Sequence, residues 1–319
     1  MVPSLTAIRD AQARLARHLE VTRLVPAPSL SARTGLDVAL KLESDLPTGS
    51  FKPRGALHAL SLRLERHAVS EVIASSTGNH GAAVAYAARL LGRPATIFLP
   101  ERPNPVKRDR IAALGARIEE HGRDIAGAAA RAAAYARRDG IYYLDDATDP
   151  DLPAGPATIA CEILSQRPDT EAIYVPMGDT ALIRGIGAAV KALAPAVRVI
   201  GVQAEGAPAY TRSWREGRVV TTETCDTVAD GLATRTPDAA NVEEIRQLVT
   251  DVRLVSDDQM VAAVRHLLLE EHVVAEPAGA AATAALLAVG EPAGRRIVLL
   301  VTGANIAPEV LRRAVCAEA

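Results

Sequence analysis

The feature that most constrains this chain is its alternation of short, β-rich apolar runs with longer Ala-rich stretches. The runs "VALKLE" (38–43), "EVIAS" (71–75), "ATIFLP" (95–100), "ARIEEH" (116–121), "AIYVP" (172–176), "VRVIGVQ" (197–203), "VRLVS" (252–256) and "RIVLLVTG" (296–303) are strand-sized. Windows 81–91, 105–114, 124–138, 182–193, 257–271 and 278–288 carry helical patterning between them. Apolar strands that alternate with helices have both faces covered, so the pattern predicts an α/β fold of open, mostly parallel sheets flanked by helices. Ser256-Asp257-Asp258-Gln259 has the spacing of a capping box and marks a helix start. The N-terminal "MVPSLTAIRDAQARLARHL" lacks the apolar core of a signal peptide and reads as an amphipathic helix.

Composition removes several classes of function. A net charge of -2 and 3% aromatic residues argue against nucleic acid as a partner. No apolar run approaches bilayer length, so a cytoplasmic protein without a membrane partner is expected. Cys161, Cys225 and Cys316 are widely spaced and form no C-x-x-C pair, which suggests neither a disulfide framework nor a zinc site. The 14 residues beyond Asn305 leave no room for an appended regulatory domain.

Four glycine-containing turns fall at or just after predicted strand ends: "TGSFKPRGA" (48–56), "SSTGNHG" (75–81), "PMGDTAL" (176–182) and "VTGAN" (301–305). In open α/β sheets ligands bind beyond the carboxyl ends of the strands, so four such turns suggest one site built from distant segments. Lys52 is conspicuous because the chain has four lysines against 32 arginines. An arginine would serve equally well as a surface charge, whereas a Schiff-base former must be able to lose its proton. Lys52 reads as a loop residue, with Arg54 as a neighbouring cation and Phe51 and Leu57 as apolar surroundings. Asn79 suits a helix N-cap, or a ligand contact from the same place. His80 alone is more often structural than catalytic. Gly178 to Leu182 joins a strand to a helix, where free N–H groups and the helix dipole favour a phosphate. Thr302 either caps its turn or bonds a heterocycle nitrogen.

Together "KLESDLPTGSFKPRGA", "SSTGNHGAAVAYAARLLG", "TVADGLA", "EPAGAAATAAL" and "TGAN" resemble, in order, the landmarks of the fold-type II pyridoxal-phosphate enzymes. Within these they are most similar to the threonine/serine dehydratase (ammonia-lyase) and serine racemase group. The resemblance covers nearly the whole chain. It implies a two-domain, tryptophan synthase β-like α/β fold, with residues 1–70 and 148–319 forming a large cofactor-binding domain and 71–147 a small, mobile, substrate-contacting one. It implies pyridoxal 5'-phosphate held on Lys52 as a Schiff base, with Lys52 also the proton-transfer base. Phe51 would pack beside the ring, Asn79 would bond its hydroxyl, Thr302 would face its nitrogen, and Gly178, Asp179, Thr180, Ala181 and Leu182 would hold the phosphate. Ser76, Thr77, Asn79 and His80 would bind the substrate carboxylate. A homodimer is the family expectation.

Three departures stand out. Asp179 replaces glycine in the phosphate loop, where its carboxylate would repel a phosphate unless turned away, with Arg184 one turn on as an offsetting charge. Gln203 and Ala209 stand where metal-binding carboxylates are expected, so no metal is predicted. Thr77 occupies the place of the serine that racemases use as a second acid/base, and its β-methyl restricts its rotamers. A neutral hydroxyl opposite the pyridine nitrogen makes the cofactor a weaker electron sink, which suits β-elimination. The implied activity is dehydration and deamination of a β-hydroxy-α-amino acid, with threonine and serine as default substrates and phenylserine or 3-hydroxyaspartate as others. Racemisation, β-replacement and a catalytically silent binding role are the alternatives.

Overall fold

The computed structural model describes residues 2–76, 78–103, 105–292 and 294–316. Ten strands form two sheets. They are β1 (Leu24–Pro26), β2 (Asp37–Leu42), β3 (Glu71–Ser75), β4 (Ala95–Leu99), β5 (Arg117–Glu120), β6 (Ile141–Tyr143), β7 (Ala172–Pro176), β8 (Arg198–Ala204), β9 (Asp251–Val255) and β10 (Arg296–Val301). The larger sheet has the order β1-β2-β10-β7-β8-β9, and the smaller β5-β4-β3-β6. Every pairing is parallel except β1 with β2.

Successive residues of a strand point to opposite faces, and the two faces of the larger sheet carry separate cores. Along β10, Ile297, Leu299 and Val301 enter one apolar cluster, while Val298 and Leu300 enter another with Ile173 and Val175 of β7. The smaller sheet is likewise covered on both sides, by a cluster around Val72, Ala74, Ile97 and Leu99 and by another around Ile73 and Phe98. Helix Lys52–Arg66 buries Ala56, Leu57 and Leu60 in the first of these. It therefore runs from the ends of the larger sheet's strands into the packing of the smaller one.

The eight anticipated strands are present with shifts of at most two residues at their ends, and the capping box at Ser256–Gln259 is made in both directions. The N-terminal helix is Leu5–Leu15. The three-residue strands β1 and β6 are too short to carry a readable alternation. Helices Pro28–Thr34, Ala154–Gln166, Ala209–Glu216, Ala239–Leu248 and Pro308–Cys316 lie outside the anticipated windows. The main correction concerns Lys52, which is the first residue of helix Lys52–Arg66 and not a loop residue. Pro53 looks like a breaker in sequence, but the first turn of a helix tolerates proline because its N–H would be unpaired anyway. The turn before the helix uses positive φ at Thr48 (72°) and Gly49 (68°).

Candidate active site

The chain around Lys52 is lashed to the end of β10. Phe51 N–H donates to the Thr302 carbonyl at 3.0 Å, Ala304 N–H donates to the Gly49 carbonyl at 3.0 Å, and Ser50 bridges to Gly303. Lys52 is thereby held beside buried Thr302, with its Nζ 5.2 Å from the Phe51 ring centroid. That amine forms an ion pair with Asp146 Oδ2. Burial pushes the Asp146 carboxyl up, but Lys52 and His80 outweigh it and hold the group below its ordinary range. Asp146, just beyond β6, was not anticipated from the sequence. The acidic run "LDDATDPD" looks like solvated loop, and only its position at the end of a strand could have flagged it.

His80 is buried. Its Nε2 lies 2.9 Å from the Leu144 carbonyl, and its Nδ1 lies 3.6 Å from Asp146 Oδ1. The side chain thus supports Asp146, and only the backbone at this helix start remains for a substrate carboxylate. Asn79 is the first residue of helix Asn79–Leu90 and not its N-cap, which is Gly78. Its amide donates to Glu276 Oε1 at 2.7 Å and accepts from Asn305 Nδ2 at 2.6 Å. Asn305 is fixed in turn by Thr48 O and Arg110. A side chain at Gly303 would collide with Glu276, so glycine is what lets β10 end against this group. Ser76 sits at the end of β3, with its hydroxyl accepting from Gly78 N–H at 3.2 Å. Thr77 lies outside the described residues.

Gly178 to Leu182 follows β7 and opens helix Ala181–Leu193. Gly178 packs so tightly on the Gly231 carbonyl that a Cβ would overlap it. Thr180 takes a left-handed conformation (φ 70°) and provides no side-chain cap, so the helix's first N–H groups are left to a ligand. Asp179 Oδ1 accepts from Thr234 Oγ1 at 2.8 Å. Burial and the nearby Asp146 raise the Asp179 carboxyl above its usual range, which lessens its tendency to repel a phosphate. Arg184 does not offset Asp179 as expected. Its guanidinium bonds Glu244 at 3.0 Å and the Ala147 carbonyl at 3.2 Å, and its charge favours ionised Asp146.

Arg54 is also not the neighbouring cation expected for Lys52. It is buried against Glu43 (Nε–Oε2 2.8 Å) and Glu162 (Nη1–Oε1 2.6 Å). Gln203, in the region considered for a cation, accepts from Thr211 N–H at 2.9 Å. Among the described residues no group of three His, Cys, Asp or Glu side chains is placed to hold a metal ion. None of their helices is long and apolar enough to cross a membrane.

The residues present fit pyridoxal phosphate. A half-buried amine, an uncapped helix N-terminus behind a glycine cradle, and a buried threonine at the end of β10 belong to elements that meet at the carboxyl ends of the larger sheet's central strands, β10 and β7. Comparison with known proteins points the same way. The chain is 34% identical over 310 residues to an L-threonine ammonia-lyase of Thermotoga maritima, which covers 97% of this chain and 77% of that one. It is 32% identical to the catabolic L-threonine dehydratase of Escherichia coli strain K12, over 94% of this chain and 92% of that one. Maize serine racemase superposes with a TM-score of 0.92 at 28% identity, covering 98% of this chain and 97% of that structure. The family model described as pyridoxal-phosphate dependent enzyme matches residues 15–303, and the chain belongs to that family.

Proposed function

We propose that the chain is a pyridoxal-phosphate dependent ammonia-lyase that converts a threonine- or serine-like β-hydroxy-α-amino acid to a 2-oxo acid and ammonia. The observation that carries the reading is the placement of Lys52 at the head of its helix, lashed to Thr302 beside the Asn79 and Gly178–Leu182 turns. The named relatives, ammonia-lyases among them, support the reaction class.

The cofactor, when bound, supplies the electron sink that makes the α-proton acidic. Lys52 anchors it and moves the α-proton at its Nζ. Phe51 flanks the ring, Asn79 and Thr302 orient it, and the N–H groups of Gly178, Asp179, Thr180, Ala181 and Leu182 hold its phosphate. Ser76, Thr77, Asn79 and His80 present backbone N–H groups to the substrate carboxylate, and Thr77 is the second candidate catalytic residue beside Lys52. Residues 71–147 act as the smaller domain against 1–70 and 148–319. The working protein is a cytoplasmic homodimer.

The test is an assay for 2-oxo acid and ammonia, run with cofactor-loaded protein on both enantiomers of a β-hydroxy amino acid panel. Equal amounts of the two products from threonine or serine are expected. Cofactor absorbance with no product from any member would overturn the reading in favour of racemisation, β-replacement or a binding role.

A further inference from the structure

The amide chain that ends on Asn79 has a fixed direction. A guanidinium only donates, and that of Arg110 donates to Asn305 Oδ1 and, at 2.9 Å, to the Thr48 carbonyl. Asn305 therefore turns its Nδ2 the other way, where it donates to the Thr48 carbonyl at 2.8 Å and to Asn79 Oδ1 at 2.6 Å. Both Nδ2 hydrogens of Asn305 are spent there. With the Asn79 oxygen occupied, its own Nδ2 points onward, and one of the two hydrogens goes to Glu276 Oε1 at 2.7 Å. The other remains for a ligand. Turning either amide over would set like groups against each other at hydrogen-bond distance. Glycine at 49 makes room for the chain, since a Cβ there would lie 2.8 Å from Asn305 Oδ1 and 3.3 Å from Arg110 Nη2.

We propose that Arg110 is a positioning residue that acts through Asn305 to turn the Asn79 amide, so that its N–H and not its C=O meets the ring oxygen of the cofactor. This rests on the cofactor placement in the reading above and not on its reaction class. Arg110 belongs to helix Pro105–Ala113, between β4 and β5, whereas Thr48 precedes Lys52 and Asn305 follows β10. The layer around the smaller sheet thus reaches the ring without touching it. A hydrogen bond to an ionised oxygen favours that form. The Asn79 N–H therefore lowers the pH at which the lysine-linked cofactor gives up the proton shared between its ring oxygen and Lys52.

The experiment is a pH titration of lysine-linked cofactor absorbance in wild type, Arg110→Met, Asn305→Ala and the double variant. The readout needs no turnover, so it is independent of the oxo-acid assay. Arg110→Met and Asn305→Ala are each expected to raise the midpoint by about half a pH unit or more. The double variant should shift no further than Asn305→Ala alone, because Arg110 acts through Asn305. A wild-type midpoint in Arg110→Met would overturn the proposal. So would additive shifts, which would make Arg110 a remote charge and nothing more. Should Asn305→Ala fail to fold, Arg110→Gln decides. This neutral side chain still donates, and it is expected to recover part of the Arg110→Met shift; a midpoint equal to that of Arg110→Met sinks the idea. A wild type without lysine-linked absorbance would remove the cofactor placement and this proposal together.

Discussion

Lys52 and Arg54 stand two residues apart at the head of one helix, and their surroundings could hardly differ more. Arg54 is 2% exposed and donates to Glu43, Glu162, Thr158 and Thr22, while Glu162 is shared with fully buried Lys41. Every charge there has an opposite within hydrogen-bond reach, and the guanidinium is raised above its ordinary range despite its burial. Lys52 pairs with Asp146, whose second oxygen is unsatisfied, and the two side chains are 18% and 19% exposed. A closed buried network fixes the fold, because breaking it strands a charge. An open one can exchange its partner for a ligand. On the proposed reading the fully paired cation is the structural one, and the half-paired cation the chemical one.

Two substitutions test that division. Lys52→Ala has the larger expected effect. It should abolish lysine-linked cofactor absorbance and reduce turnover by at least about 1,000-fold, because covalent anchoring and proton transfer are both lost. Unfolding free energy should move by less than about 1 kcal/mol, since the Lys52–Asp146 pair is partly open to solvent. Arg54→Met should do the reverse. Removing one partner of a buried ion network costs about 3–5 kcal/mol, measurable by urea unfolding, and Glu43→Gln added to it should recover part of that loss. The folded fraction should retain turnover within about tenfold, because Arg54 touches no reacting atom. Large destabilisation by Lys52→Ala, or loss of turnover in a stable Arg54→Met, would erase the distinction.

The sequence shows one half of this contrast more readily than the other. Lys52 is visible because lysine is scarce and glycine turns surround it, and the strands that present the site are visible because parallel strands are apolar on both faces. The partners that decide what each cation does are not visible. Asp146 is 94 residues from Lys52, Glu162 is 108 from Arg54, and Thr234, which turns the Asp179 carboxyl, is 55 away. No local pattern reports such pairings. Arg54 therefore reads as an electrostatic neighbour of Lys52 although its fork is fully engaged elsewhere, and Asp146 reads as solvated loop. Helix Lys52–Arg66 is obscured by Pro53 and Gly55, whose small size lets the helix approach Leu152.

The same helix carries a third basic residue, His58, whose fate differs from both, and it sharpens the comparison with the smallest effect. His58 is 2% exposed, and its Nδ1 is buried without a hydrogen bond. Burial, with the Arg14 cation adding to it, lowers its pKa from 6.5 to about 4. Arg66 also faces it with the same sign, while Asp151 and Asp10 favour the charged ring. The folded pKa lies below the unfolded one, so between these values the unfolded chain binds the proton and the folded chain does not. The group therefore costs nothing above about pH 6.5, erodes stability progressively as the pH falls toward about 4, and adds no further loss below that. A difference of about 2.5 pH units corresponds to about 3 kcal/mol. His58→Leu should flatten this limb, so that its unfolding free energy changes less than wild type between pH 7 and pH 4.5, with the difference read by urea titration at the two values. Parallel curves would show that His58 finds a partner for its proton, as Arg54 does for its charge, and that burial on this helix does not by itself hold a base neutral.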